Sequence, residues 1–142
     1  MKQFVLALFC CVPLQVNADQ IDDITTHFFE LMQQGKSTQA LDTLLQDNRW
    51  LSKDSDGMVQ LRGNLARSGE LFGQYRFHEL ISESRIGTHY VYRIYMVGYE
   101  RQPLTCKITF YKPEKHWRVQ NIVFGLGLVD EVSKQADARL VK

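Results

Sequence analysis

The sequence predicts an α+β fold in which N-terminal helices pack on a curved antiparallel β-meander that forms a cone. Three observations predict it. Apolar residues of the first half recur at helical spacing. From about residue 74 the chain turns to Tyr, Phe, Val, Ile and Thr in alternating runs. The breaks between those runs are too short for a parallel crossover, which needs roughly a dozen residues, so neighbouring strands must be antiparallel.

The helical half begins at Ile21. Ile24, Phe28, Leu31 and Met32 follow at helical spacing, and Gly35 is a natural stop. Ser37 offers an N-cap for a short second helix carrying Ala40, Leu41, Leu44 and Leu45. Asp54 or Ser55 caps a third, with Met58, Leu61, Leu65 and Leu71 on its apolar side; Gly57, Gly63 and Gly69 weaken its continuity.

Four strands follow, over 74–84, 90–99, 104–111 and 117–124. Taking 112–115 as the last turn sets Phe110 opposite Trp117, Ile108 opposite Val119 and Cys106 opposite Asn121. One face then collects Leu104, Cys106, Ile108, Phe110, Trp117, Val119 and Val123. Carried back, the same face receives Val91, Arg93, Tyr95, Val97 and Tyr99, then Tyr75, Phe77, Glu79, Ile81 and Glu83. Arg76 and His78 fall on the opposite, solvated side. A sheet face this apolar must be covered, and the helices are the available cover.

Two groups of residues are functional candidates. Glu79, Arg93, Tyr95, Tyr99, Cys106 and Asn121 are the polar exceptions on the inward face and the candidate ligand pocket. Glu79 stands opposite Tyr95 and diagonal to Arg93, so a structural Glu79–Arg93 ion pair is the first explanation and a carboxylate- or anion-receiving pocket the second. Tyr90, Tyr92, Ile94, Met96, Ile122 and Phe124 make the outward face apolar, which points to dimerisation through the sheet or to cover by the C-terminal tail.

Composition narrows the rest. The chain has 142 residues, with 17 Lys+Arg against 16 Asp+Glu. Residues 1–18 read as a signal peptide: Lys2, an apolar run from Phe4 to Leu14, then Val16-Asn17-Ala18 before Asp19. The run is too short to span a bilayer, so no stable membrane insertion is expected after cleavage. Loss of Lys2 leaves a neutral chain, which disfavours nucleic acid as a partner. Cys10 and Cys11 leave with the signal, and Cys106 remains as a small buried hydrophobe without a disulfide. His27, His78, His89 and His116 are scattered, and no metal-ligand spacing or cofactor motif is present. Gly125 and Gly127 follow a strand without the third glycine of a phosphate loop and mark a bend. Residues 129–142 read as a tail or short helix that Val129, Val132 and Ala136 can dock.

The opening helix Ile24-Thr25-Thr26-His27-Phe28-Phe29-Glu30-Leu31-Met32 with Gly35, the short helix at Ala40-Leu41, and the closing Phe110-Tyr111-Lys112-Pro113-Glu114-Lys115-His116-Trp117-Arg118-Val119-Gln120-Asn121 carry a resemblance. Over residues 19–128 the chain resembles the nuclear-transport-factor-2-like fold of the cystatin-like superfamily, as found in small exported bacterial proteins. The resemblance implies a cone whose open end holds a small molecule, in a group that includes isomerases, dehydratases, binding domains and dimerisation modules. Fold alone does not choose among them. The reading is a periplasmic or secreted, non-enzymatic domain that binds a small ligand or a partner protein, as a homodimer and without cofactor. The alternatives are a cofactor-free isomerase or dehydratase using Glu79 with Tyr95 or Tyr99, and a dimerisation module with a filled cone.

Overall fold

A computed structural model describes residues 18–140. The expected signal segment lies outside that range, Cys10 and Cys11 with it, except for Ala18, which opens the first helix.

Helix α1 (Ala18–Gln33) buries Ile21, Phe28, Phe29, Leu31 and Met32 along one stripe. It stops at Gly35, whose φ of 73° only glycine adopts without strain. The Gly35 N–H donates to the Met32 carbonyl and the Lys36 N–H to that of Leu31, the paired bonds of a Schellman cap. Helix α2 (Ser37–Leu44) buries Ala40, Leu41 and Leu44. Its capping residue is Lys36, so Ser37 is the first helical residue and not the cap. Helix α3 (Asp56–Ala66) starts after Ser55, whose hydroxyl turns back to the Ser52 carbonyl and makes no capping bond. The helix breaks at Arg67 and resumes as α4 (Ser68–Phe72), leaving Leu71 exposed.

Strands β1 (Tyr75–Ile86), β2 (Tyr90–Tyr99), β3 (Pro103–Tyr111) and β4 (Arg118–Gly125) form one antiparallel sheet in sequence order. The first turn has three residues, 87–89, with Gly87 at a positive φ of 58°. Pairing across β2 and β3 sets Val91 against Phe110, Arg93 against Ile108 and Tyr95 against Cys106. These side chains, with Val97, Leu104, Trp117 and Val119, meet α1 and α2 in one core.

Three bulges move residues from the faces that strict alternation assigns to them. In β4, Gln120 is an extra residue: Phe110 pairs with Val119, but Thr109 pairs with Asn121, Ile108 with Ile122 and Cys106 with Phe124. Ile122 therefore enters the core at 5% exposure, and Val123 leaves it at 47%. Trp117 pairs with no residue of β3, because the last turn runs through it, yet it is buried on the core side. In β1 the extra residues are Arg76 and Ile81. Glu83 pairs with Arg93, two places from the register that would set Glu79 opposite Tyr95, and beyond Ile81 the faces exchange. His78 turns inward, its ring stacked on Phe29 at 4.0 Å, while Glu79 pairs with Met96 and Phe77 covers Gly98 on the outer side.

Helix α5 (Leu128–Leu140) follows β4 and packs on the outer side of β3, where the Lys107 ammonium meets the Glu131 carboxylate at 2.7 Å. Val129, Val132 and Ala136, expected to dock the helix, face solvent. On this outer side Ile94 is buried, Tyr92 and Met96 are half-buried, and Tyr90 is the most open of the four. Ile122 and Phe124 do not belong to this face: both lie on the core side, Phe124 with its ring 6.4 Å from that of Phe28.

Candidate functional site

The inward polar residues are gathered around Arg93, and the acid beside it is not Glu79. The Arg93 guanidinium donates from Nε to Glu83 Oε2 at 2.7 Å, and from Nη1 to Asp22 Oδ1 at 2.6 Å and the Tyr95 hydroxyl at 3.2 Å. Arg85 binds the other Glu83 oxygen at 2.6 Å. Sequence reasoning reached the ion pair but named the wrong carboxylate, because the first turn closes one residue later than a Glu79–Tyr95 pairing requires, which sets Glu83 opposite Arg93. It missed Asp22 altogether, since a helix partner some seventy positions away leaves no local signal.

Burial alone would lower the pKa of Arg93, but hydrogen bonds to Asp22, Tyr95 and Glu83 reverse this and hold it above its ordinary value. For Glu83, burial raises the pKa, and the bonds and charges of Arg93 and Arg85 more than offset it, leaving the carboxyl below its ordinary value. A charge so fully engaged is a fastener between α1 and the sheet, and it has little left to offer a ligand. Asn121, the last of the expected pocket residues on β4, is exposed on the opposite face.

Cys106 is fully enclosed beneath the helices, and burial pushes its thiol well up from the usual range. We expect native protein to leave Cys106 unmodified by iodoacetamide at pH 8 and urea-unfolded protein to label it fully, read by peptide mass. Rapid labelling of the native protein would show that this part of the core opens.

Tyr99 lies at a different place. Together with Tyr75 it borders a cleft of about 420 Å³ between the end of α1, α4 and the start of β1. The Tyr99 hydroxyl donates to Ser68 Oγ at 3.1 Å, and the Ser68 hydroxyl donates to the Leu65 carbonyl at 2.7 Å. The Tyr75 hydroxyl lies 2.8 Å from Nδ1 of His78. Burial lowers the His78 pKa, which favours the neutral imidazole as acceptor of the Tyr75 proton. Burial also raises both phenols above their ordinary value, and the proximity of Tyr99 adds to the rise at Tyr75. Both therefore stay protonated at neutral pH. The remaining wall includes Gln34, Gln74 and Gly69, and no charged side chain lines the cleft. Tyr75 and Tyr99 stood on the inward face in the sequence, but Ser68 and His78 were not legible as their partners.

Among the described residues no group of His, Cys, Asp and Glu could hold a metal ion, and no helix is long and apolar enough to cross a membrane. The chain matches no protein-family profile and no curated protein. It is similar in structure to a candidate NTF2-like transpeptidase from Campylobacter jejuni, with a TM-score of 0.53 and 14% identity over 70% of this chain and 95% of that one. At that identity the likeness speaks for the fold alone. Helices on a curved four-stranded antiparallel sheet, matched over nearly the whole of a known example, give this chain the nuclear-transport-factor-2-like fold.

Proposed function

We propose that the chain is an exported, non-enzymatic binding domain that takes a small, uncharged, hydrogen-bonding ligand in the cleft bordered by Tyr75 and Tyr99. The observation that carries this reading is the division of the inner face. Around Arg93, Cys106 and Phe110 the space is filled by side chains and closed ion pairs. At Tyr75 and Tyr99 it opens into a cavity whose polar groups are phenols, serine hydroxyls and amides. Such a wall suits a ligand that offers donors and acceptors without a net charge, because an ion there would find no counter-charge. The isomerase or dehydratase alternative requires a disengaged carboxylate beside Tyr95 or Tyr99; Glu79 lies on the other side of the sheet, and Asp22 and Glu83 near Tyr95 are bound to Arg93.

Native mass spectrometry of protein purified from its own host tests the reading. The expected result is a retained small neutral molecule that is lost in Gly69→Trp. A Cβ at Gly69 meets no atom within 4 Å, and Gly69 lines the cleft, so a large side chain there has room to start and narrows the cleft. An adduct kept by Gly69→Trp, or no adduct before and after incubation with a neutral metabolite extract, overturns it. A sheet-mediated homodimer, the other part of the reading, would use Tyr90, Tyr92 and Met96, the three of the six first expected there that remain open on the outer face. Sedimentation at the monomer mass alone would remove it.

A further inference from the structure

Away from the cleft, the connection between α2 and α3 faces the β3–β4 turn across a groove of about 720 Å³. Asn48 fixes this connection to the sheet: its Nδ2 donates to the Val119 carbonyl at 2.9 Å, and its Oδ1 accepts from the Trp50 N–H at 3.3 Å. Trp50 is thereby held beside β4 although the residue is 63% exposed. Two guanidinium groups rest against that ring, Arg49 at 4.3 Å and Arg118 at 4.2 Å from its centre, and Arg118 also approaches the Tyr111 ring at 5.4 Å. An aromatic surface of this kind orders a guanidinium without using up its hydrogen-bond donors.

Those donors have no acidic partner. Among the described residues, no carboxylate lies within ion-pair distance of Arg49, Lys115 or Arg118, although all three line the groove. Two further N–H groups of lining residues, Nε of Arg118 and Nε1 of Trp117, are buried and make no hydrogen bond among the described residues. Buried donors without an acceptor are uncommon and call for an explanation. The groove is not uniformly basic, since Asp47 and Glu114 also line it. Neither carboxylate is paired with these cations, and three fixed or flexible cations face two acids.

We propose that this groove is a second binding site, one that receives an oxyanion, a carboxylate or phosphate group of its ligand, on the guanidinium groups of Arg49 and Arg118. A guanidinium meets either anion with paired N–H donors, so the two sources share one recognition chemistry. The site is independent of the neutral cleft, and its test is separate.

Both tryptophans of the chain, Trp50 and Trp117, line the groove, so all of the tryptophan emission reports on it. The experiment titrates the domain at low salt with tetraglutamate in one arm and inorganic pyrophosphate in the other. A saturable change in emission in at least one arm is expected, weakened by added salt, and the arm that saturates identifies the anion. Arg49→Gln and Arg118→Gln should each weaken that binding by about 10-fold, the loss of one charge-assisted hydrogen bond, while Arg67→Gln outside the groove leaves it unchanged. Arg49 is exposed, so its variant keeps the fold even if Arg118→Gln does not, which circular dichroism shows. No saturable change in either arm up to roughly 10 mM, or equal binding by Arg49→Gln, overturns the proposal.

Discussion

Phe110→Ala should destabilise the domain by about 3–5 kcal/mol, measured by urea unfolding followed by circular dichroism. Phe110 is fully enclosed, and it pairs with Val91 on one side and Val119 on the other, at the step where the β4 bulge begins. Truncation leaves a cavity that neither neighbour can fill without moving the bulge. The same argument separates two adjacent positions. Ile122→Ala should lose about 2–4 kcal/mol, because its side chain is in the core, whereas Val123→Ala should stay within about 0.5 kcal/mol of the wild type. Simple alternation from the last turn assigns the opposite order. Equal effects at 122 and 123, or a larger one at 123, would refute the bulge.

Removal of the buried arginine should have the second large effect. Arg93→Ala leaves Glu83 and Asp22 facing each other's charge without a cation between them, and it empties the space of the side chain. Breaking a fully buried pair costs about 3–5 kcal/mol; the two acids are partly open to water, so about 2–4 kcal/mol is expected here. Arg93→Met, which keeps most of the volume, should lose about 1 kcal/mol less. The pH dependence has a definite sign. Glu83 has a folded pKa below its ordinary value, so its contribution is complete above about pH 4.5 and is lost as pH falls through the folded pKa. Wild-type stability should therefore decline below pH 4.5, and Arg93→Met should decline less over the same window. Parallel curves for the two proteins would show that the pair contributes nothing to the acid limb.

The comparison between sequence and structure turns on those bulges. Strand positions were legible because β-branched and aromatic residues alternate with turn residues at short intervals, and all four segments are extended within two residues of their expected ends. The central pairing of β2 with β3 was legible as well, because neither strand carries an extra residue and alternation holds from Tyr90 to Gly98. The outer strands were not. Arg76, Ile81 and Gln120 are ordinary strand residues, and no residue type at these positions marks them as unpaired. Each one reverses the faces beyond it. That is why Glu79 and Asn121 left the candidate pocket, why His78 entered the interior, and why Ile122 and Phe124 moved from the expected dimer face to the core.

The groove was illegible for a different reason. Trp50, Arg49 and Arg118 lie far apart in the chain or within a connection without periodicity, and long-range contacts such as the Asn48 bond to Val119 bring them to one place. Residues of that kind carry no pattern until the fold is known.

The bulged first strand has a bearing on how the sheet avoids pairing edge to edge. β1 is twelve residues long and lies at the border of the sheet, with one row of amides and carbonyls unmatched by any strand among the described residues. A straight, flat ribbon of that length would invite a second chain to zip alongside it. The kinks at Arg76 and Ile81 interrupt the repeat at two points, so no uninterrupted run longer than a few residues is presented. The irregularity that obscures the faces of the strand also guards its open rim against runaway association.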